Sequence, residues 1–185
     1  YFGVGGSPDV SRVKWSGGRY VTSELSNVYT ANDAFTLRVL QEVQRRVNDV
    51  QAMRALGFCV DIAHAEHMAR SFSARGVEAR AVSGESSAAV RDAALDGLRR
   101  GEVKVVFSVD LFNEGVDLPD VDTVLFLRPT ESATVFLQQL GRGLRKSARK
   151  ECLTVLDFIG NARKEFRFDL RYRAIVGGTR RELLQ

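Results

Sequence analysis

Phe58-Cys59-Val60-Asp61-Ile62-Ala63, followed by the stretch His64 to Arg75 and the stop at Gly76, decides the fold. A short run that is apolar apart from Asp61 reads as a strand buried on both faces. The stretch after it is amphipathic and ends in glycine, the residue that best tolerates a left-handed helix terminus. Val77 to Val82 then reads as a second strand. A strand, a helix and a strand in this order form a unit whose two strands run parallel, because the helix carries the chain back to the starting edge.

The alternation continues in both directions. Ser83-Gly84-Glu85-Ser86 is a turn of small polar residues. Ser87 can cap a helix that runs to Arg100 and closes at Gly101. Lys104 to Val109, Asp122 to Leu127 and Cys152 to Phe158 read as three more strands, with helices expected after Ser132 and from Asn161 to about Ile175. Upstream, Ala34 to Ala55 carries a helical stripe of Phe35, Leu37, Val39, Leu40, Val43, Val47 and Val50, which predicts one long amphipathic helix. The first thirty residues are broken by Gly3, Gly5, Gly6, Gly17 and Gly18 and read as an irregular connecting or docking segment. The expected class is α/β, a three-layer parallel sheet with helices on both faces. Ligands of such sheets lie beyond the carboxyl ends of the strands, so Ala63-His64, Ser83-Gly84 and Asp110 to Pro119 are the informative loops.

Composition narrows the function classes. The 185 residues suffice for one well-buried domain, and 44% hydrophobic with 27% charged residues is ordinary for a globular protein. No apolar run approaches the roughly 20 residues needed to span a bilayer, and no secretory signal opens the chain, so a cytoplasmic protein without membrane contact is expected. Tyr1 in place of a starting Met points to a piece of a longer protein. The net charge of +4 is a mild excess. Apart from Lys14, Lys104, Lys146, Lys150 and Lys164 the basic residues are arginines, which suit bidentate phosphate contacts but also follow from GC-rich coding. Cys59 and Cys152 stand far apart in apolar runs and read as buried small hydrophobes. His64 and His67 are three residues apart, yet the chain has no third histidine and no nearby cysteine, so no metal site is expected.

One segment carries chemistry more plainly than the rest. Gln138-Gln139-Leu140-Gly141-Arg142-Gly143-Leu144-Arg145 sets two arginines three residues apart beside a glycine. On a helix such positions share a face, so two permanently charged forks can meet one polyanion. An isolated pair of this kind can equally serve the helix dipole. The glycine pairs Gly3-Val4-Gly5-Gly6 and Gly141-Arg142-Gly143 faintly suggest a dinucleotide fold of the dehydrogenase or flavodoxin type, but neither opens a helix directly after a strand with a third glycine in place.

The spacing Gln-x-x-Gly-Arg-x-x-Arg resembles motif VI of superfamily two helicases. Ser108 to Pro119, ending Glu-Gly-Val-Asp-Leu-Pro, resembles motif V, and Gly57 to Ala69 resembles motif IV. Ser83-Gly84, with Arg91 as a possible brace, lies where relatives carry motif IVa. Leu125 to Thr130 and Leu153 to Phe158 extend the match, which runs from about Tyr1 to Phe168 and is similar to the C-terminal motor half of a type III restriction-subunit helicase.

The resemblance implies a RecA-like fold. It implies that Arg142 and Arg145 are catalytic arginine fingers and that Gly115, Asp117 and Gln138 face ATP. His64, Ser83, Gly84, Ser108 and Val109 would contact a nucleic-acid backbone, with duplex DNA the expected partner and the choice between DNA and RNA left open by the sequence. No Gly-Lys-Ser/Thr loop and no Asp-Glu box occurs. ATP and Mg²⁺ would therefore be held mainly by an N-terminal lobe of the same polypeptide, and the fragment alone is expected to be inactive. Residues 1–31 would lead from that lobe, 32–175 would form the domain and 176–185 would run toward a following one. A helicase-like lobe that only docks partner proteins remains the other reading.

Overall fold

The computed structural model describes residues 1–17, 19–109, 120–129 and 152–158. Its elements are β1 (Phe2–Val4), β2 (Trp15–Ser16), β3 (Arg19–Tyr20), α1 (Thr22–Thr30), α2 (Asp33–Arg46), β4 (Ala55–Phe58), α3 (Ile62–Ser73), β5 (Ala79–Val82), α4 (Ala88–Arg100), β6 (Val105–Ser108), β7 (Thr123–Phe126) and β8 (Thr154–Phe158). Six strands form one sheet in the order β1-β8-β7-β4-β6-β5, and every neighbouring pair is parallel. β2 and β3 make a separate antiparallel ribbon in which Trp15 faces Tyr20.

Side chains alternate across the sheet, so each strand feeds two cores. Ala55, Phe107, Leu125 and Leu156 pack with Phe35 and Val39 of α2 and Met68 and Phe72 of α3. Leu56, Phe58, Val106, Val124 and Phe126 pack on the other side with Leu95 and Leu98 of α4. The parallel, two-faced α/β sheet expected from the sequence is the one observed. Gly57 allows the crowded centre: a Cβ there would stand 2.3 Å from the Phe107 ring.

Element bounds differ in instructive ways. β4 ends at Phe58, and the apolar residues after it turn into α3, because Asp61 caps that helix through the His64 N–H at 2.9 Å. α2 stops at Arg46, well short of Ala55. There Val47 is extended, and Asp49 Oδ1 accepts from the Gln51 and Ala52 amides at 2.8 and 3.2 Å, which builds a turn. Val47 and Val50 continue the helical stripe only because they pack on the same core from non-helical backbone. α4 behaves as read, with Ser87 accepting from the Val90 N–H and Gly101 left-handed at φ 75°.

The first thirty residues are more regular than their glycines suggest. β1 joins the sheet edge beside β8, and α1 packs against α3. Cys152 is exposed rather than buried, since it precedes the first residue of β8. No helix among the described residues is long and apolar enough to cross a membrane.

Candidate functional site

Strand register sets the geometry. Phe58 lies opposite both Ser108 and Phe126, and Val82 lies opposite Ser108. The carboxyl ends of β5, β6, β4 and β7 are therefore flush, and the loops that leave them emerge side by side on one rim. This is where α/β sheets bind ligands.

The β4–α3 junction is the tightest part of that rim. Asp61 Oδ1 accepts the His64 N–H at 2.9 Å and the Ser26 hydroxyl of α1 at 2.8 Å. His64 does not face outward as a nucleic-acid contact would. Its side chain is buried and stacks on Tyr29 with ring centroids 4.9 Å apart and planes 24° from parallel. Its Nδ1 accepts the Val60 N–H at 3.3 Å, which places the proton of the neutral ring on Nε2. Nε2 has no partner. Burial pushes the His64 pKa down to about 3, only partly offset by Asp61, so the imidazole is neutral at physiological pH. The helix start expected to offer free N–H groups at His64 is thus partly used by Asp61. Among the described backbone groups, the exposed residue Ala63 marks the accessible part of this turn.

Its neighbour His67 serves packing too, with Nε2 3.1 Å from Thr36 Oγ1 and 3.9 Å from Asp33 Oδ1. Among the described residues no three His, Cys, Asp or Glu side chains come together to hold a metal. Cys59 is buried at the same turn, and burial raises its thiol pKa, so it presents no thiolate.

The β5–α4 junction is built differently. Ser83 is buried and its hydroxyl accepts from the Glu85 N–H at 3.2 Å, while Ser86 Oγ accepts from the Ser83 N–H at 3.0 Å. Gly84 is exposed, and a Cβ on it would meet nothing within 4 Å. Arg91 of α4 reaches the loop through Nη2 to the Ser86 carbonyl at 3.4 Å, the brace expected of it. Between the two junctions, Ser108 ends β6 fully buried, and its Oγ has no hydrogen-bond partner among the described residues. Val109 is half-buried against the α2–α3 core. Gly115, Asp117, Gln138, Arg142 and Arg145 lie outside the described residues.

Sequence reasoning overlooked Asp61, Ser26 and Tyr29 at this rim. It also overlooked Asp157, a buried carboxylate in β8 whose Oδ2 accepts the Tyr1 hydroxyl at 2.6 Å. A lone acid inside Leu153 to Phe158 was the available signal, because a buried carboxylate needs partners.

The model of the helicase conserved C-terminal domain matches residues 37–147. The chain belongs to that family. A protein named as an ATP-dependent helicase, IRC3 of Saccharomyces cerevisiae, is 29% identical over 154 residues, covering 76% of the chain and 22% of its own length. UvrABC system protein B of Methanothermobacter thermautotrophicus is 33% identical over 112 residues, covering 58% of the chain and 17% of its own length. The chain spans less than a third of these relatives. Among solved structures, a fragment of an HsdR subunit of a type I restriction enzyme from Vibrio vulnificus superposes with TM-score 0.62 at 23% identity, over 81% of the chain and 31% of that one. Dbp5 of S. cerevisiae, bound to RNA and ADP BeF3, superposes with TM-score 0.62 at 17% identity, over 79% and 37%. At these identities the likeness speaks to the fold, which is RecA-like. The family match begins inside α2, so β1 to β3 and α1 lie before it.

Proposed function

We propose that this chain is the second motor lobe of an ATP-dependent translocase or helicase acting on nucleic acid, DNA in the first instance. The observation that carries the reading is the flush rim, with the β4–α3, β5–α4 and post-β6 loops on adjacent strands of a helicase C-terminal domain. The β4–α3 and β5–α4 turns, with the end of β6 between them, make a surface on which a sugar-phosphate backbone can lie. Gly84 leaves room for close approach, while Ser108 is as buried as His64, so its hydroxyl, without a hydrogen-bond partner among the described residues, meets a phosphate oxygen only when the arriving strand uncovers it. Val109 continues that contact. His64 acts by shaping its turn rather than by touching the strand.

ATP is the substrate in this reading. It lies between this lobe and a first lobe, with Gly115, Asp117 and Gln138 near it and Arg142 and Arg145 completing the site on closure. Arginines delivered across a cleft stabilise charge that builds on the transferred phosphoryl group. The described residues offer no acidic cluster for Mg²⁺, which the first lobe would hold. Residues 1–31 lead from that lobe and contribute β1 and α1 to this one, 32–175 form its body and 176–185 run on toward a following domain. Alternate closing and opening of the cleft moves the lobes along the strand. The lobe alone does not turn over ATP.

A backbone clamp has a measurable signature. The chain should bind a single-stranded oligonucleotide weakly, with affinity falling steeply as salt rises, because phosphate contacts release counterions. Fluorescence anisotropy across a salt series reads this directly. Tight binding indifferent to salt contradicts a backbone grip.

A further inference from the structure

Helix α1 lies outside the segment matched by the family, yet it is tied to the rim. Two of its residues are buried against the β4–α3 turn, Ser26 and Tyr29. The Ser26 hydroxyl donates to Asp61 Oδ1 at 2.8 Å, on the same oxygen that caps α3. Tyr29 lies flat on His64, whose Nδ1 holds the Val60 amide, and is itself pinned edge-on by Phe35 at 5.1 Å. The residues before and after the helix start are thus both held from a neighbouring helix. Neither hold comes from the sheet.

We propose that Ser26 and Tyr29 are positioning residues: acting through Asp61 and His64, they fix the β4–α3 turn in the attitude it presents at the rim. The chemistry is specific. Asp61 could cap α3 alone, but a carboxylate with one short partner can rotate about its side-chain bonds, whereas a second donor on the same oxygen locks it. His64 could fill its space as a phenyl ring would, but only its nitrogen accepts the Val60 N–H. Residues 22–30 are then part of the working rim and not a spacer before it. The part of the inference that concerns nucleic acid rests on the function proposed above; the clamp itself does not.

The test uses the full-length protein with Ser26→Ala and Ser26→Thr. Three quantities are read: amide hydrogen exchange at residues 61–65, the single-strand concentration giving half-maximal stimulation of ATP turnover, and the thermal midpoint. Ser26→Ala should speed exchange in that turn by roughly three- to tenfold, the range expected for one lost hydrogen bond. It should raise the half-stimulating strand concentration by a similar factor, with turnover at saturating strand unchanged. Threonine should restore both. Unchanged exchange overturns the clamp. Faster exchange with unchanged strand dependence overturns the positioning role, as does a loss that merely follows the thermal midpoint. A wild-type protein that ignores single strands altogether refutes the proposed function instead, and the exchange pattern then still decides whether α1 holds the turn.

Discussion

The β4–α3 and β5–α4 junctions are two solutions to one problem. Each carries the chain from the carboxyl end of a buried strand into a capped helix on the same rim. Asp61 caps α3 and Ser87 caps α4, each through the N–H three residues on. The first junction is locked from outside by α1, with a buried aromatic stack and a carboxylate shared between two donors. The second is held mostly by its own serines and leaves Gly84 in the open. A preset turn beside an open one divides the labour of a rim. In the proposed backbone clamp, one fixes the reference frame and the other gives a ligand room to approach.

The sharpest way to break this contrast is to remove the buried stack. His64→Ala deletes a fully buried ring and leaves a cavity beside Tyr29, and should cost about 2–4 kcal/mol in urea unfolding. A cost below about 1 kcal/mol would show that the junction is not preset. Acid probes the same group. His64 has a folded pKa of about 3, below its ordinary value of 6.5. The unfolded chain therefore binds more protons between those values, and stability falls as pH drops through that window. The slope from this group approaches about 1.4 kcal/mol per pH unit. His64→Phe should flatten the profile between pH 6 and 4; an unaltered slope would mean that the imidazole is not the titrating group.

The caps give a smaller, paired effect. Ser87→Ala should cost about 1 kcal/mol, as an ordinary cap does, and Asp61→Ala more, because Ser26 loses its acceptor as well. Equal costs would erase the distinction between the junctions. Gly84→Asp sits at the small end. Nothing crowds that position, so stability should move by no more than about 0.5 kcal/mol, while a carboxylate facing phosphates should weaken single-strand binding at low salt. Unchanged binding would remove Gly84 from the interface.

These junctions also show what a sequence can and cannot disclose. Ser87 and Gly101 bracket α4 at borders between polar and apolar residues, so cap and stop were legible. Asp61 sits inside an apolar run, where its capping role is masked, and the strand was read as Phe58–Ala63 although it occupies Ala55–Phe58. His64 carried the right position but the wrong direction, since nothing local says that a Tyr thirty-five residues earlier will cover it. β1 was invisible because it is three residues long, contains Gly3, and pairs with a strand at the far end of the chain. The strands β6, β7 and β8 were legible because burial on both faces writes a nearly continuous apolar run, and β5 was legible despite Arg80; β4, at Ala55–Phe58, was placed three residues late.

The central claim is that this lobe supplies cationic fingers to ATP held by another, and Arg142 tests it most directly. In the full-length protein, Arg142→Ala should abolish nucleic-acid-stimulated ATP turnover while ATP binding, read with a fluorescent nucleotide, largely survives. Normal stimulated turnover in that variant would contradict the account.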